Sequence, residues 1–280
     1  VAINLGATAT STPNGTLLGP YETLNPSEGI DTLANIEEIE ATNFDDYIRL
    51  ASGTNTAYGL DGDDTIYGSF ADDILYGGSD DDFLNGWGGN DQLFGGDGND
   101  TLVMPNLPSP GAVDGGEGSD YLSIQTGNIT ESLTLDASSM IGSGSLILNG
   151  TEVLATNIER VSLSTGLGDD TLLGGSINDV LQGNGGDDTL YAGAGNDWIY
   201  GGDGHDTLYG DAGIDAVFGN DGDDEIVWSA GDGGDTIDGG EGHDSVVFNT
   251  SDSSPQNISF TYDEATETIT ATISGAEAVF

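Results

Sequence analysis

Aspartates return along this chain at intervals of nine residues: Asp64, Asp73, Asp82, Asp91 and Asp100, then Asp170, Asp179, Asp188, Asp197, Asp206, Asp215 and Asp224. Carboxylates are hard oxygen donors, and a periodic array of them suits the ligation of a hard cation. A close pair such as Asp63 and Asp64 could instead serve as acid and base. A catalytic pair is needed once, however, whereas this one recurs in unit after unit, which favours ligation. The sequence carries no H-E-x-x-H, no G-x-S-x-G and no cysteine nucleophile, so no enzymatic role is expected. His205 and His243 share one variable place in the unit and read as solvent-facing turn residues. An EF-hand loop would need twelve residues, a bidentate Glu and flanking helices, none of which is evident.

Composition narrows the cation. Fifty acidic residues face two basic ones, Arg49 and Arg160, for a formal charge of -48. That field excludes nucleic acid and anionic membrane as partners and demands cations. With no cysteine, any metal must be oxygen-liganded, and calcium fits best. The 47 glycines follow the nine-residue period, and with only seven prolines a collagen-like chain is ruled out. No apolar run is long enough to span a membrane, and Val1–Leu5 lacks the features of a secretory signal.

The frame that positions the aspartates begins at Ala41. Units start at 41, 50, 59, 68, 77, 86 and 95, with Asp46, Asn55, Asp64, Asp73, Asp82, Asp91 and Asp100 at position 6. Position 8 is aliphatic: Ile48, Ala57, Ile66, Leu75, Leu84, Leu93 and Leu102. Met104-Pro105 is inserted, a degenerate unit follows at 106, and the unit at 115 carries Asp120 and Leu122. The frame resumes at 165 with Asp170, Asp179, Asp188, Asp197, Asp206, Asp215 and Asp224; Trp228-Ser229 is inserted, and units at 230 and 239 supply Asp235 and Asp244. The two tracts align without a gap at an offset of 124 residues, a tandem duplication. The flanking segments repeat too, as Asn35-Ile-Glu-Glu-Ile39, Asn157-Ile-Glu-Arg-Val161 and the looser Gly275-Ala-Glu-Ala-Val279. Five regions are expected: a β cap at 1–40, a roll at 41–123, a β linker or cap at 124–164, a second roll at 165–247, and a β cap at 248–280. The Val1 start and the final segment suggest a piece of a longer array.

A glycine-rich turn of six residues followed by a strand of three makes half a coil, so unit n stacks on unit n+2 with strands about 4.8 Å apart. A calcium ion between stacked turns reaches an oxygen in each at about 2.3–2.6 Å, and turn carbonyls complete its shell. Each unit buries essentially one aliphatic side chain, too thin a core to hold stacked carboxylates together. Metal binding then becomes folding free energy, and the chain is expected to be largely disordered in chelator and to fold with calcium.

The units at 59–103 and 165–247, such as Gly201-Gly-Asp-Gly-His-Asp-Thr-Leu-Tyr209, together with the Asn-Ile-Glu segments, resemble the RTX, or hemolysin-type calcium-binding, family over about two thirds of the chain. The resemblance implies an all-β fold of tandem right-handed parallel β-rolls, a β-solenoid separated and capped by short strands. It also implies type I export from a Gram-negative bacterium, with folding triggered by calcium outside the cell, so a secreted or cell-surface protein. Stacked pairs allow up to about seven sites in the second roll and roughly five strong ones in the first, about ten to twelve calcium ions in all. Asn55 replaces one Asp, Gly111 stands opposite Asp235, and Phe44 and Ile177 take the usual glycine of position 4, so those turns are expected to be weak. The first roll should therefore lose calcium sooner.

Position 9 carries Tyr58, Tyr67, Tyr76, Phe94, Tyr191, Tyr200, Tyr209 and Phe218, which read as a ladder of stacked rings, or as a flat face for a glycan or a neighbouring domain. Position 3 holds Asp61, Phe70, Ser79, Gly88 and Asp97, not the regular Thr/Asn array that ice binding needs. The expected partners are calcium, copies of the chain or neighbouring modules, and a cell-surface glycan. The expected function is a structural, surface-layer or adhesin-like segment of a larger exported protein. The alternative is the export and folding domain of a secreted enzyme or toxin whose catalytic part lies elsewhere.

Overall fold

In a computed structural model, residues 2–4, 37–50, 53, 55–105, 112–127, 129–138, 143–148, 151–229, 231–249, 257–263 and 268–274 are described. Every element among them is a β-strand, and the stacked parallel strands form a β-solenoid. The aliphatic residue of position 8 explains the stacking. It points inward from each short strand, and Ile66, Leu75, Leu84, Leu93, Leu102, Leu122, Leu172, Leu181, Leu190, Ile199 and Leu208 are all fully buried. Parallel registers Ile66↔Leu84 and Leu75↔Leu93 set each residue on its equivalent two units along.

The chain divides into two compact units, residues 1–127 with 139–162, and residues 128–138 with 163–280. In the first, one sheet runs Ala2–Asn4, Tyr47–Arg49, Thr65–Tyr67, Phe83–Asn85, Thr101–Met104 and Tyr121–Gln125. Its facing sheet runs Glu38–Glu40, Thr56–Asp61, Ile74–Ser79, Gln92–Asp97, Ala112–Glu117 and Thr151–Thr156, with Ser143–Leu148 antiparallel to the last. In the second unit, Thr134–Asp136, Thr171–Leu173, Thr189–Tyr191, Thr207–Tyr209, Glu225–Ser229 and Ser245–Asn249 form one sheet. Val180–Gly185, Trp198–Asp203, Ala216–Asp221 and Thr236–Glu241 lie in the other.

Several strands are longer than the three residues expected. Strands such as Thr56–Asp61, Ile74–Ser79 and Trp198–Asp203 run on into the start of the next unit, whose positions 2 and 3 also join the ladder. The insertions are absorbed in the core, where Met104 and Trp228 are both buried. Residues 124–164 are shared between units: Thr134–Asp136 pairs with Thr171–Leu173 of the second, and Thr151–Thr156 with Ala112–Glu117 of the first. Further on, Asn257–Asp263 and Thr268–Ser274 form an antiparallel pair. Most of the segment 1–40, residues 106–111 including Gly111, and Gly275–Val279 lie outside the described residues, while the rest of the unit at 106 enters the strand Ala112–Glu117 and buries Val113 at position 8. The rings of position 9 stack as a ladder, Tyr58 on Tyr76 and Tyr76 on Phe94 at 4.8 Å each, and Tyr191 on Tyr209 at 4.4 Å.

Candidate metal centre

Each short strand is preceded by its position-6 aspartate, so stacking the strands stacks the carboxylates. On one edge of the first unit the amide of Asp46 donates to Asp64 Oδ1 (2.7 Å), that of Asp64 to Asp82 (2.8 Å), of Asp82 to Asp100 (2.8 Å) and of Asp100 to Asp120 (2.8 Å). On the other edge Asn55 donates to Asp73 and Asp73 to Asp91, both at 2.9 Å. The second unit repeats this from Asp170 through Asp188, Asp206 and Asp224 to Asp244, and from Asp179 through Asp197 and Asp215 to Asp235. The pairs expected to share a cation are thus linked directly, each carboxylate spending one oxygen on the layer before it. Asp244 is solvent-exposed and Asp235 half-buried, while the other position-6 aspartates are buried.

The second oxygen sorts the turns into two kinds. Oδ2 of Asp64, Asp82, Asp100, Asp120, Asp188, Asp197, Asp206, Asp215 and Asp224 is buried without a hydrogen-bond partner. In four other turns the position-2 residue donates to it: Thr42 to Asp46 (2.7 Å), Ser69 to Asp73 (2.7 Å), Gly166 to Asp170 (3.3 Å) and Gly175 to Asp179 (2.6 Å). The backbone explains the difference. Position 2 has φ > 0 in every turn of the first kind, including Leu60 (89°), Asn184 (68°) and Asp211 (59°), and in none of the second. Positive φ turns the amide away from the carboxylate.

The self-capped aspartates are the first on each edge of each unit. Later position-2 residues rest on the turn beneath, as Gly202 does on the carbonyl of Asn184. Stacking on a regular aspartate turn thus goes with the left-handed conformation that leaves Oδ2 without a partner, whereas Ser69, stacked on the Asn55 turn, keeps its bond to Asp73.

A buried polar atom left without a partner is costly, and here the cost recurs layer after layer. In metal-free form it appears as raised proton affinity. Burial, opposed by the accepted amide bond and reinforced by adjacent carboxylates, pushes Asp82 up to about 8 and Asp64, Asp188, Asp197 and Asp215 to about 7. Asp100, Asp120 and Asp206 rise to about 6 for the same reasons. The glycine of position 1 completes the cradle. A β-carbon on Gly59 would collide with Asp64 Oδ2 and lie 2.5 Å from the carbonyl oxygen of Gly77, and Gly201 faces Asp206 Oδ2 and the Gly219 carbonyl likewise. In these two turns the glycine is needed for space, because the gap is walled by a carboxylate and a carbonyl oxygen, whereas the turn of Asp197 carries Ala192 at that position. Among the described residues no three His, Cys, Asp or Glu side chains converge on one point, and the oxygens that line the gaps at Gly59 and Gly201 are a carboxylate Oδ2 and a main-chain carbonyl.

A family model for the RTX calcium-binding nonapeptide repeat matches residues 40–75, 50–84, 67–102, 149–181, 164–199, 173–208, 200–227 and 229–249. The chain belongs to this family. RTX repeats bind calcium, and the buried aspartates and oxygen-lined gaps fit that ion. The RTX repeat family is typical of secreted bacterial proteins, and among the described residues no helix is long and apolar enough to cross a membrane. No curated protein matches the chain.

Three features escaped the reading of the sequence. Position 5, taken as variable, forms a second ladder of opposite sense: the amides of Asp63, Asp81 and Asn99 donate back to Asp45, Asp63 and Asp81. His205 belongs to it, its Nδ1 accepting the Asp223 amide at 3.0 Å, although both histidines are exposed as expected. Asp232 is buried and bonds the Ser229 amide at the turn after the insertion. Glu159 meets the last aspartate of the first unit, Asp120. Its signal was the run Glu159-Arg-Val161, which repeats the acidic and aliphatic spacing of positions 6 and 8.

Proposed function

We propose that this chain is an extracellular structural segment of a larger exported bacterial protein, of surface-layer or adhesin type, that folds when its carboxylate ladders take up calcium, and that it is not an enzyme. The observation that carries this reading is the set of buried Oδ2 atoms without partners, found in both units on the same frame. The ligands are Asp64, Asp82, Asp91, Asp100, Asp120, Asp188, Asp197, Asp206, Asp215, Asp224, Asp235 and Asp244, with Asp46, Asp73, Asp170 and Asp179 as weaker contributors because their second oxygen is already bonded. Bound calcium supplies the positive charge that the stacked carboxylates lack. Against catalysis, each carboxylate spends one oxygen on a backbone amide, and the same arrangement recurs along both ladders.

The test is a calcium titration of the chelated chain followed by circular dichroism and by light scattering or electron microscopy. Cooperative gain of β-structure is expected, followed by calcium-dependent assembly or attachment to cells. A spectrum unchanged across the titration would sink the folding claim, and a folded chain that stays monomeric and binds no cell surface would sink the surface role.

A further inference from the structure

Beyond the nonapeptides, the end of the first roll repeats their geometry with different residues. In a regular layer the next layer contributes three things: a position-6 carboxylate accepting the aspartate amide, a position-1 carbonyl facing Oδ2, and a position-7 amide donating to the aspartate carbonyl, as Thr101 does to Asp82 (2.8 Å). The layer at 115 has no regular turn above it in its own unit. Instead, Glu159 Oε2 accepts the Asp120 amide at 2.8 Å, the Asn157 carbonyl occupies the place facing Gly115 and Asp120 Oδ2, and the Arg160 amide donates to the Asp120 carbonyl at 3.0 Å. Val161 then falls at position 8 and is buried.

The segment Asn157-Ile-Glu159 thus does in two residue steps what the nonapeptide turn does in five. The shortcut is set by Asn157 in the left-handed region (φ 54°), and its side-chain amide is tied to Asp114 Oδ1 at 2.7 Å. The longer side chain of Glu, rather than Asp, spans the remaining distance. Asp120 itself is 0% exposed, and its Oδ2 has no hydrogen-bond partner. The nearby Arg160 guanidinium lies over the Tyr121 ring, 5.2 Å from its centroid.

We propose that Asp120, Glu159 and the main-chain carbonyl of Asn157 form a terminal calcium site that closes this edge of the first roll. The proposal rests on calcium loading of the ladders as read above. A cap that merely hydrogen-bonds would tolerate Glu159→Gln, because the amide oxygen of Gln accepts the Asp120 N–H equally well. A calcium ligand would not, because the charge is lost.

In the full chain, E159Q is expected to bind one calcium fewer at a concentration that saturates the native protein, through a weakening of at least tenfold at that site. Hydrogen exchange should become faster at Asp120 and Arg160 and stay unchanged in residues 183–226. Asp120→Asn should remove the same site and also weaken the one shared with Asp100. An E159Q protein with native calcium number and affinity would overturn the proposal while leaving the ladder reading intact. A native chain that binds no calcium would overturn both.

Discussion

Asp206 is the sharpest point at which to test the ladder. Its Oδ1 accepts the Asp188 amide at 2.8 Å, its own amide donates to Asp224 Oδ1 at 2.9 Å, and its Oδ2 is buried without a partner. Asp206→Asn keeps the shape and the acceptor for Asp188, but removes a charged ligand from two stacked gaps, the one with Asp188 and the one with Asp224. Losing even a supporting residue typically costs a metal site about 10–100-fold, so each gap should lose about 1.4–2.8 kcal/mol or more, and the pair about 3–5.5 kcal/mol. With calcium binding linked to folding as proposed, the loss appears as a higher calcium midpoint for the gain of β-structure and a lower unfolding temperature in saturating calcium. Asp206→Ala adds a second cost, about 1–3 kcal/mol for the stranded Asp188 amide, and should be the worse variant. Equilibrium dialysis gives the number of ions and circular dichroism the midpoint. Weakening of a single site in either variant would refute the sharing of Asp206 between layers. A midpoint unchanged in Asp206→Asn would refute its role as a ligand.

Proton linkage predicts an opposite pH response with and without calcium. Aspartates raised from 3.8 to about 8 for Asp82, about 7 for Asp64 and about 6 for Asp206 bind more protons folded than unfolded, so they stabilise the metal-free roll below about pH 4. That contribution fades as pH rises through about 6 to 8; calcium affinity should rise over the same window as protons leave, and circular dichroism in chelator from pH 4 to 8 checks the first half. Asp179→Asn, at a turn where Gly175 already bonds Oδ2, should disturb calcium binding less than Asp197→Asn, as measured by dialysis. Gly202→Ala forces a β-carbon against the Asn184 carbonyl at φ 125°, whereas Gly231→Ala meets nothing within 4 Å at φ 110°. Both are strained by φ, but the first should cost more stability by about 1–3 kcal/mol on denaturant unfolding in calcium, and equal costs would contradict the tight stacking of turns.

The nine-residue spacing was enough to identify the solenoid, its buried position 8 and its aspartate ladders, because these depend on local order alone: a residue's place in the turn sets which way its side chain points. The ring ladder of Tyr58, Tyr76 and Phe94 followed from the same periodicity. What a single unit cannot encode is the state of its position-2 peptide. Leu60 adopts φ > 0 although it is not glycine, whereas Gly166 and Gly175 do not, although they are. The layer beneath decides, so the division between self-capped and open aspartates exists only in the stacked structure. The ladder through position 5 was hidden for the same reason, since Asp, Asn and His there look interchangeable until His205 is seen accepting the Asp223 amide.

The sharing of residues 129–138 and 143–161 between units, and the placing of Glu159 against Asp120 across 39 residues, were beyond any periodic reading. By itself the sequence determined the repeat, the core and the chemistry of the carboxylates, all properties of short-range spacing. The tertiary structure alone decided which carboxylate oxygens are left without partners and what closes the first roll, because both depend on the neighbour in the next layer and not on the neighbour in the chain.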